Sequence, residues 1–351
     1  MTNFSEIKLT QYSKGSGCGC KIEPAVLEKI LNQTKGGKTY SELIGGYETN
    51  DDAAVWDCGN GMYLLSTTDF FTPIVDNPFD FGRISAVNAI SDIYAMGGKP
   101  SFALAILGFP IDKLPIEVAS EILAGAKMIC EEAGIPLAGG HSIDIPEPVF
   151  GLVVNGFTDK NSLRKNNTAM AGDVLMMTKP LGTGIISAAQ KRGKAEEADV
   201  RLAVELMTTL NSVGYELSKI EGVHAMTDVT GFGLMGHLIE MCEGSNLSAE
   251  LNYNSVPLIS GIEKYTAQFI FPDNVYRNWN AYEKKVSGIN GPAFITLCDP
   301  QTSGGLLIAV DPVKKPIVDK VFISAGLENM IGTIGTLSKI VDDKVVKVSG
   351  G

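Results

Sequence analysis

Residues 80–98, Asp-Phe-Gly-Arg-Ile-Ser-Ala-Val-Asn-Ala-Ile-Ser-Asp-Ile-Tyr-Ala-Met-Gly-Gly, constrain the fold of this chain more than any other stretch. They read as a helix, with Asp80 as the expected N-cap and Gly97-Gly98 as the stop. Nearly every position is apolar, whereas a surface helix carries a face rich in Lys and Glu, so burial almost all round is expected. Ser85, Asn88 and Asp92 fall at i, i+3 and i+7 and share one stripe. An aspartate buried on such a helix is costly unless it is paired or metal-bound. The stripe is therefore either a site or a solvent-facing polar seam.

A chain of 351 residues suggests about two domains. Strands are expected at 62–69, 101–108 and 148–157, with an amphipathic helix over 116–133. A polar run near Asn161–Gly172 marks the expected junction. That divides the chain into an N-terminal segment and linker (1–45), a first domain (46–160) and a second domain (172–351). In the second, 173–178 reads as a strand and 196–220 as a single long helix. Asp228 runs into a glycine-rich turn and a helix to Cys242, and 295–309 is a turn entering an apolar strand. A helix near 313–325 and a last strand near Ile331 end it, while 258–290 stays unassigned. Helices and strands mix without strict βαβ order, so α+β is favoured over a doubly wound sheet.

Ahead of these domains lies Lys14-Gly-Ser-Gly-Cys-Gly-Cys-Lys21, glycines alternating with Cys18 and Cys20. With almost no apolar side chains it cannot hold itself in a fold, so a mobile strap carrying a thiol and the cation Lys21 is expected. The P-loop spacing is absent, and one Cys-x-Cys pair is a weak metal signal. A flexible arm with incidental cysteines fits the spacing equally well.

A net charge of −11 argues against non-specific nucleic-acid binding, which needs a basic footprint, and no nucleic-acid partner is expected. It permits phosphate ligands if cations stand between carboxylates and phosphates. Asp51, Asp52, Asp69, Asp92 and Asp228 all stand in glycine-rich or strand-end contexts. Oxygen-only donors of this kind suit Mg2+ better than zinc, and such ions hold polyphosphates during phosphoryl transfer. The Gly139-Gly-His-Ser142 run exposes backbone N–H groups suited to phosphate or ribose. The six cysteines make no disulfide framework, no signal peptide is read, and no apolar run is long enough to span a membrane. A cytoplasmic protein with no membrane association is expected.

Seven blocks carry a resemblance: Leu9 to Lys21, Asp51-Asp-Ala-Ala-Val, Ser66 to Pro78, Asn88 to Gly98, Ala138-Gly-Gly-His-Ser-Ile-Asp, Met226 to Leu234 and Asp299-Pro-Gln-Thr-Ser-Gly-Gly-Leu. From about Leu9 to Gly335 the chain resembles the selenophosphate synthetase (selenide, water dikinase) family, weakly so between Leu258 and Asn290. The resemblance implies the reaction ATP + selenide + water → selenophosphate + AMP + phosphate, with Mg2+. It implies the two-domain aminoimidazole ribonucleotide synthetase-like fold: an N-terminal mixed sheet with helices that forms a homodimer, and a C-terminal α/β sandwich. Cys18 takes the catalytic thiol's position and Lys21 the essential lysine's. Asp52, Asp92 and Asp228 match metal ligands. Lys21, Thr49, Asn50, Asp51, Asp69, Asp92, Gly140, His141 and Ser142 match nucleotide contacts. Two positions depart from the pattern: Lys14 replaces a His common in bacterial relatives, and Asn50 an Arg. A selenium-delivery protein is a further implied partner. Another ATP-dependent enzyme of the same superfamily, ending in ADP, is the nearest alternative. A selenium- or metal-carrying protein using Cys18 and Cys20 is the other.

Overall fold

The computed structural model describes residues 7–13, 15, 17, 21–22, 24–33, 38, 40–46, 51–291 and 293–350. Lys14, Cys18, Cys20, Thr49 and Asn50 lie outside the described residues. After α1 (Pro24–Asn32) come six strands: β1 (Leu43–Gly45), β2 (Ala54–Asp57), β3 (Met62–Phe71), β4 (Lys99–Phe109), β5 (Leu137–Asp144) and β6 (Val149–Asp159). They form one sheet in the order β1-β2-β3-β6-β4-β5. Every pair is antiparallel except β4 with β5. That parallel pair is joined through α3 (Ile116–Glu132), while α2 (Pro78–Ala95) links β3 to β4.

The second sheet takes seven strands: β7 (Val174–Met177), β8 (Val223–Asp228), β9 (Leu247–Asn252), β10 (Val286–Ser287), β11 (Leu306–Val310), β12 (Gly335–Lys339) and β13 (Val346–Ser349). Their order is β10-β13-β9-β12-β7-β11-β8. Strand β11 runs antiparallel to β7 and β8 and all of it is buried, so Leu-Leu-Ile-Ala-Val reads as a continuous apolar run. Around the sheet lie α4 (Thr183–Lys191), α5 (Glu197–Thr208), α6 (Val213–Leu217), α7 (Gly233–Ser245), α8 (Glu263–Thr266), α9 (Asn274–Tyr282), α10 (Ala293–Leu297) and α11 (Lys315–Ser324).

Helix α2 stands between the two sheets. It packs on β3, β6 and α3 on one side and on α5, α6 and β8 on the other. This double contact explains why it lacks a charged face. The crossing with α3 is close: a Cβ on Gly82 would lie 1.9 Å from the Ile122 carbonyl oxygen, and one on Gly125 would lie 2.0 Å from that of Phe79. Ser85, Asn88 and Asp92 are all buried, so the polar stripe faces the interior.

Several expectations need correction. The N-cap of α2 is Asn77, whose side chain accepts from the Asp80 N–H; Asp80 sits one turn inside, where its charge still favours the helix dipole. The long helix expected over 196–220 is broken into α5 and α6. Thr208 and Thr209 turn their hydroxyls back onto the carbonyls of Val204 and Glu205. Asn211, in the break, then donates to Ser91 Oγ and to the Gly304 carbonyl, both at 2.8 Å. The break thus spends a helical residue on joining the domains. Strand β12 starts at Gly335 rather than near Ile331, and β13 follows it. Strand β3 runs on past Asp69 to Phe71. Among the described residues no helix is long and apolar enough to cross a membrane.

Candidate active site

The acidic residues come together where the domains meet. Asp51 and Asp52 lie in the turn that leads into β2, Asp69 lies on β3, Asp92 on the last turn of α2, and Asp228 closes β8. Each is held by a neighbour from another element. The Thr227 hydroxyl donates to Asp52 Oδ1 at 2.9 Å, across the domain boundary. The Thr67 hydroxyl donates to Asp92 Oδ2. Asn88 Nδ2 donates to Asp69 Oδ2 at 2.6 Å. The amide of Asn88 is itself oriented by the Ser303 N–H, which donates to its Oδ1 at 2.8 Å. Lys21 Nζ lies 3.5 Å from Asp69 Oδ2, and Lys165 Nζ 3.5 Å from Asp51 Oδ2.

Electrostatics fixes the grouping. Burial, then the charge of Asp228, raises Asp52 well above the usual carboxylate range. Burial raises Asp92 likewise, with Asp228, Asp69 and Asp52 adding to it. Burial also raises Asp228, against a hydrogen bond from Ser91 and the nearby charge of Lys21. Groups that perturb one another this way sit close together in a poorly screened interior. Among the described residues, Asp52 Oδ2 and Asp228 Oδ2 are buried with no hydrogen-bond partner. Buried carboxylate oxygens without donors, repelling each other, fit a hard cation. Among the described residues no three His, Cys, Asp or Glu side chains are gathered tightly enough to hold an ion by themselves. Mg2+ commonly binds through one or two carboxylates and completes its shell with phosphate oxygens and water.

Gly140, His141 and Ser142 are not brought to this cluster within one chain. Asp69 pairs with Leu152, Leu152 with Ala105, and Ala105 with Gly140, one row running across the sheet. Three strand spacings put Gly140 about 14 Å from Asp69. The three residues line an open groove of about 610 Å³ with Leu107, Leu123 and Lys127. The glycine pair is also not a turn. It lies inside β5, where Gly140 has φ +152° and a Cβ would lie 2.1 Å from the Ala105 carbonyl oxygen.

The Asp299–Gly305 turn gains a role that its spacing did not disclose. Gln301 Oε1 accepts from the N–H groups of Gly182 and Thr183, and Asp299 Oδ2 accepts from that of Ile185, so the two cap the start of α4. Burial pushes the Asp299 carboxyl up to about 8. Ser303, at φ +52°, gives its N–H to Asn88 and its carbonyl to Lys179 Nζ at 2.9 Å. Burial brings Lys179 down to about 7. Thr67, Ser91, Lys165, Thr227 and Ser303 were not picked out from the sequence. Thr67 had a usable signal, since it lies two residues from Asp69 on a strand and so shares its face.

Comparison with known proteins accords with this geometry. The N-terminal domain of AIR synthase related proteins matches residues 50–158, and their C-terminal domain matches residues 170–342. Thiamine monophosphate kinase from Aquifex aeolicus superposes with TM-score 0.66 at 18% identity, covering 94% of this chain and 98% of that one. Hydrogenase maturation protein HypE from E. coli superposes with TM-score 0.60 at 18% identity, covering 82% of each. Fold and site thus define a two-domain protein of the AIR synthase related class. Among its relatives, selenide, water dikinase of Aeromonas hydrophila is 50% identical over 345 residues, 98% of this chain and 99% of that protein. The Cronobacter sakazakii enzyme of the same name is 52% identical over 331 residues, 94% of this chain and 95% of that protein. The chain belongs to the selenide, water dikinase family.

Proposed function

We propose that the chain makes selenophosphate: the γ-phosphoryl of ATP passes to selenide, and water then cleaves the β-phosphate of the bound ADP, releasing AMP and orthophosphate. One observation carries this reading beyond the sequence identity. Carboxylates from both domains converge, with buried oxygens on Asp52 and Asp228 that have no donor among the described residues. Asp52, Asp92 and Asp228 would hold Mg2+, which neutralises charge on the triphosphate as it develops. Asp51 and Asp69, steadied by Lys165 and by Asn88 with Lys21, would meet the nucleotide; Thr49 and Asn50 join them by resemblance. Lys21 puts a cation beside Asp69, where it can screen two anions from each other during transfer. Cys18 is the proposed thiol that receives or guards the soft selenide. The cluster is sheltered from solvent, which favours transfer to selenium ahead of water.

We infer that two copies act together. One face of the first sheet packs on α2; the other presents Trp56, Met62, Phe70 and Phe157, all substantially exposed, and β5 is an exposed edge. His141 shares that outer face, since it pairs with Ile106, Ile106 with Gly151 and Gly151 with Phe70. Pairing through this face would carry Gly140–Ser142 of one copy toward the carboxylates of the other. The described cysteines are free thiols, Cys58 exposed and Cys130, Cys242 and Cys298 buried, which suits a reducing cytoplasm.

The test is 31P NMR of purified protein with ATP and Mg2+, with and without selenide. Selenophosphate, AMP and orthophosphate in equal amounts, formed only with selenide, are expected. ADP as the end product would favour the alternative superfamily enzyme and overturn the proposal.

A further inference from the structure

The segment leading to Cys18 has fixed footings on both domains. Leu9 is fully buried, and Thr10 reaches Asp76 Oδ1 with its N–H at 3.2 Å and its hydroxyl at 2.6 Å. The Gly17 N–H donates to the Thr72 carbonyl at 3.0 Å, just beyond β3. Gly17 has φ +53°, and a Cβ there would lie 2.5 Å from Thr302 Oγ1 and 2.6 Å from Ile74 Cδ1, so only glycine passes between the domains at this point. The third footing comes from the second domain. Lys191, the last residue of α4, donates from Nζ to the carbonyls of Ser13 at 3.1 Å and Gly15 at 3.0 Å.

These contacts lead directly to the site. Gly17 is paired with Thr72 and Lys21 reaches Asp69, three residues back along the chain. The segment therefore passes β3 in the opposite direction. Lys21 follows Gly17 by four positions, which span at most about 14 Å, so the register at Gly17 limits where Lys21 can be. Lys191 ties this register to the second domain by charge. It is held in its own place because Arg192, the next residue, donates to the carbonyls of Phe269 and Phe271, both at 3.2 Å. Its side chain borders a cavity of about 530 Å³ together with Gly15, Thr72, Ile74 and Thr302. Replacing it therefore removes a clamp without emptying a packed core.

We propose that Lys191 is a positioning residue for the phosphoryl transfer: it grips Ser13 and Gly15 so that the chain leaves Gly17 in the register that brings Lys21 to Asp69. The inference rests on the proposed reaction, and it has a readout of its own. In Lys191→Met, amide hydrogen exchange at Gly17 should quicken at least tenfold while the amides of α2 keep their protection. The kcat for selenide-dependent AMP formation should fall at least tenfold with the KM for ATP within twofold, and Lys191→Arg should restore both. Unchanged exchange at Gly17, or faster exchange throughout α2, would overturn the proposal. So would an unchanged kcat, or a Lys191→Arg variant no better than Lys191→Met. If the unaltered protein made no selenophosphate, the reaction would be wrong, and exchange at Gly17 would still decide whether Lys191 is a clamp.

Discussion

Asp69 and Gly140 lie in one row of the first sheet, yet the chain treats the two ends of that row differently. Asp69 is enclosed by its own chain: Asn88 and Lys21 contact it, and Ser303 from the second domain orients Asn88. Gly140, with His141 and Ser142, stands on an exposed edge facing a groove. A polar residue that one chain surrounds is organised by that chain's fold, and one left on an open edge waits for something else. The difference separates what a single chain builds from what the proposed second copy or nucleotide would complete.

The largest effect is expected at the enclosed end. Asp92→Asn or Asp228→Asn should lower AMP formation by a factor on the order of 10²–10³, the scale for losing one electrostatic contact in a transition state. The fold should survive, because the amide removes mutual repulsion; thermal unfolding in EDTA at pH 8 should then occur at higher temperature than in the unaltered protein. Loss of folding in both variants would break the comparison.

At the open end, a His141→Ala/Ser142→Ala double variant should raise the KM for ATP about tenfold, close to 1.4 kcal/mol, and leave the unfolding temperature unchanged. Mixed dimers with Asp92→Asn chains should regain the unaltered KM for ATP at one of their two sites, which neither variant shows alone. No recovery would mean that the edge does not complete a neighbouring copy's site.

Asn88→Ala sharpens the contrast through stability. It leaves the buried Ser303 N–H without its acceptor and should cost about 1–3 kcal/mol in urea unfolding. A cost near zero would mean that Asn88 does not join the domains.

The smallest effect concerns pH. Asp52, Asp92 and Asp228 are raised, and Asp299 is raised to about 8. A carboxyl raised on folding stabilises fully below its unfolded value, about 3.9, and loses that contribution as pH climbs through its folded value. In EDTA the unfolding temperature should therefore fall between pH 5 and pH 8. Added Mg2+ should lessen the fall by offsetting the charge at the three site aspartates. An equal fall with and without Mg2+ would speak against a cation there.

The same contrast explains what the sequence disclosed. Helix α2 was legible because its burial on two sides leaves a pattern that no surface helix shares. The acids were legible because aspartates at strand starts and on an apolar helix are unusual where they stand. The break at Thr208–Asn211 was not, since its cause is a contact between Asn211 and residues 120 and 93 positions away. Lys191 and Ser303 stayed hidden for the same reason: each acts through backbone groups far along the chain, and backbone groups carry no sequence signal. The Gly139-Gly140 pair was legible as special, but its cause is close approach to Ala105 within a sheet and not a turn.

Calorimetric titration of a non-hydrolysable ATP analogue, with Mg2+ and with EDTA, tests the carboxylate cluster most directly. The unaltered protein should bind it tightly only when Mg2+ is present, and Asp52→Asn should lose most of that metal-dependent gain. Equal affinity in EDTA and Mg2+, or an Asp52→Asn protein indistinguishable from the original, would contradict a metal bridge between these aspartates and the triphosphate.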